Sequence, residues 1–547
     1  MFSTIQKSTY IAYIMVICLL LVLMIGCSSS PTVSPNGNNA GQNGSESAPK
    51  KGGTVTIGLK KEPDSLDVQK SSVSEGQFIG SLMGGSLLYE DPNTREIKPY
   101  LAESYTVSED GKTMKFILRS GVTFHDGTPL TAKVYKETFD RALAPDMASS
   151  PAGNDLSAVK SVSAPDDRTL IMELKEPSAT LLFYLSSPDT LQPLSTDAIK
   201  KFKKEYDRNP VGVGQWKFES WKTGESITLV RNEAFNWAIP ALENQGPARP
   251  DKLVFKFIKE PQAQMAAIES GSIDIARGIP PKDAQKYKNH DKFILMEYLK
   301  SGISFVVQNT ENEILKDSNV RRAFNLAINK KAIIQAEING EGVPANGPLP
   351  ASIFGYDSSI EQYAYKYNVE EAKKQLDAAG WKETAQGIRE KDGKKLKLSL
   401  LASQSTPGNA LIQNMLKEVG VDLQIQNVEH ATAIEMAANG KFDLFKMEYG
   451  AHDPDILYML LHSSQIGGFN FFQVNNKQLD ALLEKGRTTL DTGERQKIYE
   501  EIQKIVVDQA YLIPLYTEKK YDLVNKRIEA VKLDQGNLML NDMWVNE

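Results

Sequence analysis

The chain begins with an apolar segment that directs it out of the cytoplasm. Lys7 lies in a short polar start, and the uncharged stretch Ile11 to Gly26 runs from there to Cys27. Its 16 residues suit the apolar core of a secretory signal and fall short of the roughly 18 to 20 that span a bilayer comfortably. We therefore expect an export signal at residues 1–26 and a folded body outside the cytoplasm.

The end of this segment carries a lipidation motif. Met24-Ile25-Gly26-Cys27 resembles the lipobox of bacterial lipoproteins, in which the chain is cut before the cysteine and its thiol is acylated. The resemblance implies that Cys27 is lipidated and that acyl chains hold the protein at the outer face of the cell membrane. The alternative is an uncleaved anchor in which Cys27 is an ordinary small apolar residue.

Composition constrains how the rest of the chain is stabilised. Of its two cysteines, Cys18 lies in the signal and Cys27 would be acylated, so we expect neither a disulfide nor a metal–thiolate site. Residues 27–51 are rich in Ser, Pro, Asn and Gly, which predicts a flexible tether. The remaining chain of about 500 residues is too long for one hydrophobic core, so at least two lobes are expected.

Alternating apolar residues predict several strands in the folded body. In the clearest run, Met114, Phe116 and Leu118 share one face, as the period of a strand requires. A second alternating run predicts a strand at residues 169–174, and a β-branched run between turn residues predicts one at 52–58. Further candidate strands are residues 226–230, 253–258, 397–401 and 422–428.

Helical periods separate the strands and dominate the second half of the chain. Val320 to Ile328 repeats apolar residues with a helical period, after a cap at Asp317 or Ser318. Arg321 and Arg322 are expected on the exposed flank of that helix. Together, the two patterns predict an α/β fold with mixed sheets.

The sequence contains no recognisable catalytic motif. It has no His-Glu-x-x-His pair, no Gly-x-Ser-x-Gly elbow and no phosphate-binding Gly-x-x-x-x-Gly-Lys loop, and its five histidines are scattered. A formal net charge of −6 without a long basic run argues against nucleic-acid binding. We expect no enzyme, no cofactor and no metal site, and an exported hydrolase remains the remote alternative.

Ordered segments along the folded body resemble a known family. They are Lys51 to Gly58, Glu62 to Asp67, Leu101 to Ser104, Asp110 to Thr113, Leu118 to Pro129, Pro210 to Trp216, Trp221 to Asn232, Ile268 to Ile275, Val320 to Asn329, Pro344 to Pro350, Asp453 to Asp455 and Ile513 to Tyr516. In this order they resemble the extracytoplasmic solute-binding proteins of family 5, which serve oligopeptide, dipeptide and nickel ABC importers.

The resemblance implies a two-lobed, periplasmic-binding-protein-like fold with a hinge and an additional small domain. The first lobe would comprise residues 52–91, 209–304 and 511–547. The inserted domain would comprise residues 92–208, and the second lobe residues 305–510.

The resemblance also places a ligand in the cleft between the lobes. By position in the family, the contacts are expected from three loops or strand ends, comprising Ser72, Val73 and Ser74, then Gly302 and Ile303, and finally Tyr449, Gly450, Ala451, His452 and Asp453.

One position bears on the ligand. Peptide-binding members commonly have an aspartate where this chain has Gly450, and a carboxylate there can hold a peptide ammonium. Tyr449-Gly450-Ala451 instead resembles the nickel-binding branch, in which His452 could touch a metal chelate.

The resulting expectation is a monomeric binding lipoprotein without enzyme activity. It would capture a small solute, taken here as a short peptide, and deliver it to ABC permease and ATPase subunits. A nickel or metal chelate is the alternative ligand.

Overall fold

The computed structural model describes residues 48–546. Pro49–Glu547 forms one compact unit, and the fold below is that of this unit. The predictions for the signal, for Cys27 and for most of the tether lie outside the described residues. Within residues 48–546, no helix combines the length and apolar character needed to cross a bilayer.

A sheet of 12 strands runs through both lobes. Five of its strands match segments predicted from the sequence, namely Thr54–Leu59, Ser226–Arg231, Lys252–Phe257, Lys397–Ala402 and Asp422–Asn427. Its hydrogen-bonded order is Asp422–Asn427, Lys397–Ala402, Leu444–Gly450, Gly302–Gln308, Leu512–Asn525, Ile275–Ala276, Thr54–Leu59, Lys252–Phe257, Ser226–Arg231 and Trp216–Lys222, with Phe293–Leu299 and Gly342–Pro344 paired to Leu512–Asn525.

The strand Leu512–Asn525, called here the shared strand, joins the two halves of this sheet. Its first part pairs with Gly302–Gln308, and its second part pairs with Phe293–Leu299. Gly342–Pro344 pairs with the residues between, from Tyr516 to Glu518. The sheet therefore continues without interruption from one lobe to the other.

Helices cover the faces of the sheet on both sides of the shared strand. In the first lobe they are Ser74–Leu82, Pro261–Glu269 and Pro281–Ala284. In the second lobe they are Ser318–Ala327, Lys330–Ile338, Val369–Ala378, Pro407–Glu418, His430–Ala438, Ile456–Leu461, Lys477–Thr488 and Thr492–Asp508.

The helix Ser318–Ala327 shows how local sequence sets an element. Asp317 caps it by accepting a hydrogen bond from the amide of Asn319 at 2.9 Å, and Val320, Ala323, Phe324 and Ala327 are buried. The expectation that Arg321 is exposed is wrong, since that residue is only 4% accessible. Its guanidinium instead donates to backbone carbonyls of Leu315, Lys316 and Gln509.

A separate four-stranded sheet with its own helices lies within residues 92–208, which are called here the inserted domain. Met114, Phe116 and Leu118 are buried on one face of it, as the alternating pattern predicts. The strands run in the order Ala102–Val107, Thr113–Leu118, Thr169–Leu174 and Val159–Ser163, and the helices are Ala132–Ala142, Pro151–Asp155, Ala179–Tyr184 and Thr196–Phe202.

The inserted domain is fixed to the first lobe by packing and by a buried ion pair. Its core is continuous with Val213, Phe235 and Trp237 of the first lobe. Asp67 is fully buried and accepts from the guanidinium of Arg141. A buried charge with a matched partner is costly to separate, so this ion pair helps to hold the two parts together.

Within residues 48–546, four small sheets of two or three strands and one isolated bridge accompany these elements. They are Leu88–Glu90 with Ile97–Pro99; Lys382–Glu383, Arg389–Lys391 and Lys394–Lys395; Ile528–Glu529 with Trp544–Val545; Lys532–Asp534 with Asn537–Met539; and the isolated bridge of Thr123 with Pro129.

Candidate ligand-binding cleft

A large cavity lies where the first lobe, the inserted domain and the second lobe meet. Its volume is about 1020 Å³, at the upper end of the range of roughly 300 to 1,000 Å³ that is usual for small-molecule sites. All three parts contribute side chains to its walls. On one side, the helix Ala179–Tyr184 of the inserted domain contacts Lys477–Thr488 of the second lobe.

The first-lobe wall carries two cations at the ends of neighbouring strands. Lys60 follows the strand Thr54–Leu59, and Arg277 follows Ile275–Ala276. These strands are parallel, with Gly58 opposite Ala276, so their carboxyl ends reach the cavity together. Ligands commonly bind outside the carboxyl ends of such strands.

The wall formed by the inserted domain is acidic. Asp155 and Asp189 line it together with Tyr184. Burial raises the pKa of Asp155 to about 6, and desolvation by the enclosing walls also raises the pKa of the solvent-accessible Asp189. Burial and the field of Asp155 raise the pKa of the Tyr184 hydroxyl. A cation placed here would stabilise the ionised carboxylates.

The second lobe contributes the loop that follows the strand Leu444–Gly450. His452 is exposed toward the cavity, whereas Asp453 is buried in a bidentate ion pair with Arg495, at 2.8 and 2.7 Å. Burial raises the pKa of Asp455 to about 7, against the opposing field of Arg487. This wall therefore adds further acidic groups beside an imidazole.

The structure brings half of the residues expected at the ligand to this cavity. Ser74, Gly450, Ala451, His452 and Asp453 line it. The remaining five, Ser72, Val73, Gly302, Ile303 and Tyr449, are not among its lining residues.

Those five residues have identifiable structural surroundings. Val73 precedes the helix Ser74–Leu82, and the amide of Ser72 faces a carboxylate oxygen of Asp64 at 3.4 Å. Gly302 and Ile303 are buried in the sheet, opposite Gly450 and Tyr449.

Tyr449 lies in the hydrophobic core of the second lobe. Its ring meets Phe305 edge to face, with centroids 5.7 Å apart. Its hydroxyl donates a hydrogen bond to the carbonyl of Pro348, and burial raises the pKa of that hydroxyl. The side chain supports the loop from behind.

Some residues that line the cavity are not among those expected from the sequence. They are Lys60, Asp155, Tyr184, Asp189 and Arg277. For Lys60 the sequence offers a signal, because it lies two residues after the strand predicted at residues 52–58. The acidic residues of the inserted domain had no such signal, since no local pattern indicates that they face a distant loop.

The described residues include no group of three or more His, Cys, Asp or Glu side chains arranged to hold a metal ion. The acidic walls and His452 nevertheless give the cavity polar groups on every side. This arrangement suits a polar solute that carries charge.

Comparisons with known proteins agree with this architecture. A sequence profile described as "Bacterial extracellular solute-binding proteins, family 5 Middle" matches residues 96–469. The oligopeptide-binding protein AppA of Bacillus subtilis is 27% identical in an alignment of 543 residues that covers 96% of each chain. The heme-binding protein A of Haemophilus influenzae is 30% identical over 464 residues, 80% of this chain and 81% of the relative.

Solved structures share the fold. The structure of AppA in complex with a nonapeptide has a TM-score of 0.67 at 26% identity, covering 91% of this chain and 100% of that chain. HbpA2 from Haemophilus parasuis has a TM-score of 0.81 at 22% identity, with 90% and 100% covered. The predicted two-lobed α/β fold and the family resemblance are thus confirmed, and the chain belongs to the bacterial extracellular solute-binding proteins of family 5.

Proposed function

We propose that this protein is the substrate-binding lipoprotein of an ABC importer and that its ligand is a short peptide. The cavity enclosed by three parts of the chain carries this proposal. AppA, which covers nearly the whole chain, is an oligopeptide-binding protein. A peptide offers both backbone polar groups and terminal charges, and the walls of the cavity hold carboxylates, cations and aromatic rings to meet them.

The proposed binding step is closure of the two lobes on the ligand. Residues 52–91, 209–304 and 511–547 would move as one body with the inserted domain, and residues 305–510 as the other. A ligand shifts the equilibrium between open and closed forms only by its differential affinity for the closed form. Groups from opposing walls meet the same ligand only when closed, which supplies that difference.

Isothermal titration tests the ligand class directly. Wild-type protein would be titrated with tetrapeptide pools, with nickel–histidine and with a sugar mixture. We expect one-to-one binding of peptide, with a stabilisation of about 2.7 kcal/mol at a hundred times the dissociation constant. Binding of nickel–histidine without peptide would instead favour the chelate, and His452→Ala would then abolish that binding.

Mass spectrometry of the bound peptide tests the absence of catalysis. We propose that the peptide leaves the cleft unchanged, because a receptor needs only to bind and release. The masses of peptides recovered after prolonged incubation should equal those added. Cleavage in proportion to time, abolished by one point mutation in the cleft, would indicate a hydrolase.

A further inference from the structure

Lys60 and Arg277 are adjacent at the first-lobe wall of the cavity. Their strands are parallel neighbours, and both side chains line the cavity. A Cβ atom built on Gly278, the residue after Arg277, would lie 3.5 Å from Lys60 Nζ. The ammonium group therefore lies beside the backbone that carries the guanidinium.

Arg277 is held in place by contacts on its inner side. Its guanidinium stacks over the ring of Phe78, 4.4 Å from the centroid, and its Nε lies 3.4 Å from Oδ2 of Asp522. Asp522 is fully buried and accepts from the amide of Gly278 at 2.7 Å. A guanidinium has five N–H donors, so a single ion pair through Nε leaves the fork of Arg277 with donors to spare.

Lys60 has no carboxylate within ion-pair distance anywhere in residues 48–546. Glu75, Glu518 and Asp522 act on it only through their longer-range fields. Burial and the neighbouring Lys520 lower the pKa of the Lys60 ammonium. A half-buried cation without a partner is stabilised by an anion that arrives with a ligand.

Carboxylates line other parts of the cavity. Asp155 and Asp189 of the inserted domain line it, and neither forms an ion pair within residues 48–546. Asp455 of the second lobe is paired with Arg487 at 3.1 Å.

On the first lobe, Glu90 and Asp534 are paired with Arg95, and Glu75 adds a carboxylate without an ion pair. The inserted domain therefore presents two uncompensated carboxylates, while Lys60 is an uncompensated cation on the first lobe. A ligand with separated charges of both signs would be oriented by these walls.

We propose that Lys60 and Arg277 bind a carboxylate of the ligand and that the ligand is a zwitterion whose cationic group faces Asp155 and Asp189 of the inserted domain. The inference rests on the proposed function and adds the chemistry and direction of the bound molecule. In a peptide the anion would be the terminal carboxylate, which a guanidinium recognises through two parallel hydrogen bonds. The ammonium of Lys60 would supply the second charge.

Paired peptide pools test this subsite. Two tetrapeptide pools that lack Asp and Glu would be prepared, one with free carboxyl termini and one with terminal amides, and titrated into the full-length protein. Removing the carboxylate should weaken binding about 10- to 100-fold, the loss expected for a charge-assisted contact. A third amidated pool containing Asp and Glu tests whether a side-chain carboxylate can take its place.

Variants then locate the effect. Lys60→Gln should reduce the difference between acid and amide pools without a stability penalty, because Lys60 has no ion pair. Arg277→Gln leaves Asp522 buried and unpaired, so it is paired with the double variant Arg277→Gln/Asp522→Asn. Arg208→Gln is the matched control, since Arg208 stacks over Trp221 at 4.2 Å away from the cavity.

The outcomes separate the two proposals. If wild type binds neither pool, the proposed peptide function fails, and this inference fails with it. If wild type binds the acid and amide pools equally, the peptide function stands and the carboxylate subsite is overturned. The subsite is equally overturned if Lys60→Gln and the double variant keep the full preference for the acid pool.

Discussion

At the scale of single residues, several side chains near the cleft stabilise the fold through contacts with other parts of the protein. Tyr449 fills the core behind the loop, and Asp453 lines the cavity while both of its oxygens engage Arg495. Sequence position in a family therefore predicts a loop that lines the cavity, but it does not distinguish the residues that face the cavity from those that support the loop. The orientation of these side chains depends on contacts with residues distant in sequence, such as Pro348 and Arg495.

Tyr449→Phe tests the supporting role. Removing the hydroxyl leaves the buried carbonyl of Pro348 without its donor, so we expect a loss of about 1 to 3 kcal/mol in the free energy of unfolding. Ligand affinity should remain unchanged in calorimetric titration. Tyr449→Ala should cost more, about 3 to 5 kcal/mol, because it also leaves a cavity beside Phe305. Reduced affinity with unaltered stability would contradict this interpretation.

His125 predicts a specific dependence of stability on pH. Its Nδ1 accepts from the amide of Gly212 at 3.3 Å and its Nε2 lies 3.1 Å from the carbonyl of Gly214, a pattern that fits the neutral ring. Burial lowers the pKa of His125 from 6.5 to about 4. The unfolded chain takes up this proton near pH 6.5 and the folded chain only near pH 4, so stability falls as the pH falls through that window.

The test compares wild type with His125→Gln by urea denaturation at pH 7 and pH 5. The variant lacks the titrating group, so the stability advantage of wild type should shrink at pH 5 by up to about 1.4 kcal/mol per pH unit. An advantage of the same size at both pH values would show that His125 titrates alike in the folded and unfolded chain.

At the scale of elements, much of the secondary structure follows from the sequence. The strands Thr113–Leu118, Thr169–Leu174 and Lys397–Ala402 coincide with predicted strands. A strand with one buried face alternates apolar and polar residues, and this alternation is visible in the sequence. The shared strand was not predicted, since it is buried on both sides in Leu512–Leu515 and shows no alternation there.

Gly212 tests a close contact between elements. A Cβ atom there would lie 2.0 Å from the carbonyl oxygen of Met83, and its backbone needs no left-handed conformation. Gly212→Ala should therefore shift the backbone and cost about 1 to 3 kcal/mol in thermal or urea unfolding. Gly246→Ala is the matched control, since nothing lies within 4 Å of its added Cβ. Equal stability of the two variants would mean that the backbone contact between Gly212 and Met83 can accommodate a methyl group.

At the scale of the whole molecule, the cleft could not be read from the sequence residue by residue. Its walls come from segments as distant as Lys60, Asp189, Arg277 and His452, which meet only after the two lobes and the inserted domain have folded. The order of family segments predicted that a cleft exists. The chemistry of its walls depends on long-range packing that no local pattern records.

Membrane attachment is the prediction at this scale. We propose that Cys27 carries the lipid, because the apolar signal ends there in Met24-Ile25-Gly26-Cys27. Replacing it in Cys27→Ala should move the protein from the membrane fraction to the soluble fraction or leave the precursor uncut, as fractionation and mass spectrometry would show. Processing and membrane retention equal to wild type would contradict lipidation.

The pairing of the shared strand determines how readily its backbone hydrogen bonds open. Its backbone is paired where it passes from one half of the sheet to the other. The amide of Lys519 donates to the carbonyl of Glu341, and the amide of Lys300 donates to the carbonyl of Glu518. Bending of the shared strand need not break its inter-strand hydrogen bonds, since paired strands can twist further while these bonds are kept. Amide deuterium uptake should accordingly be slow through Ile513 to Leu523, so that the backbone joining the two halves of the sheet is among the last to open.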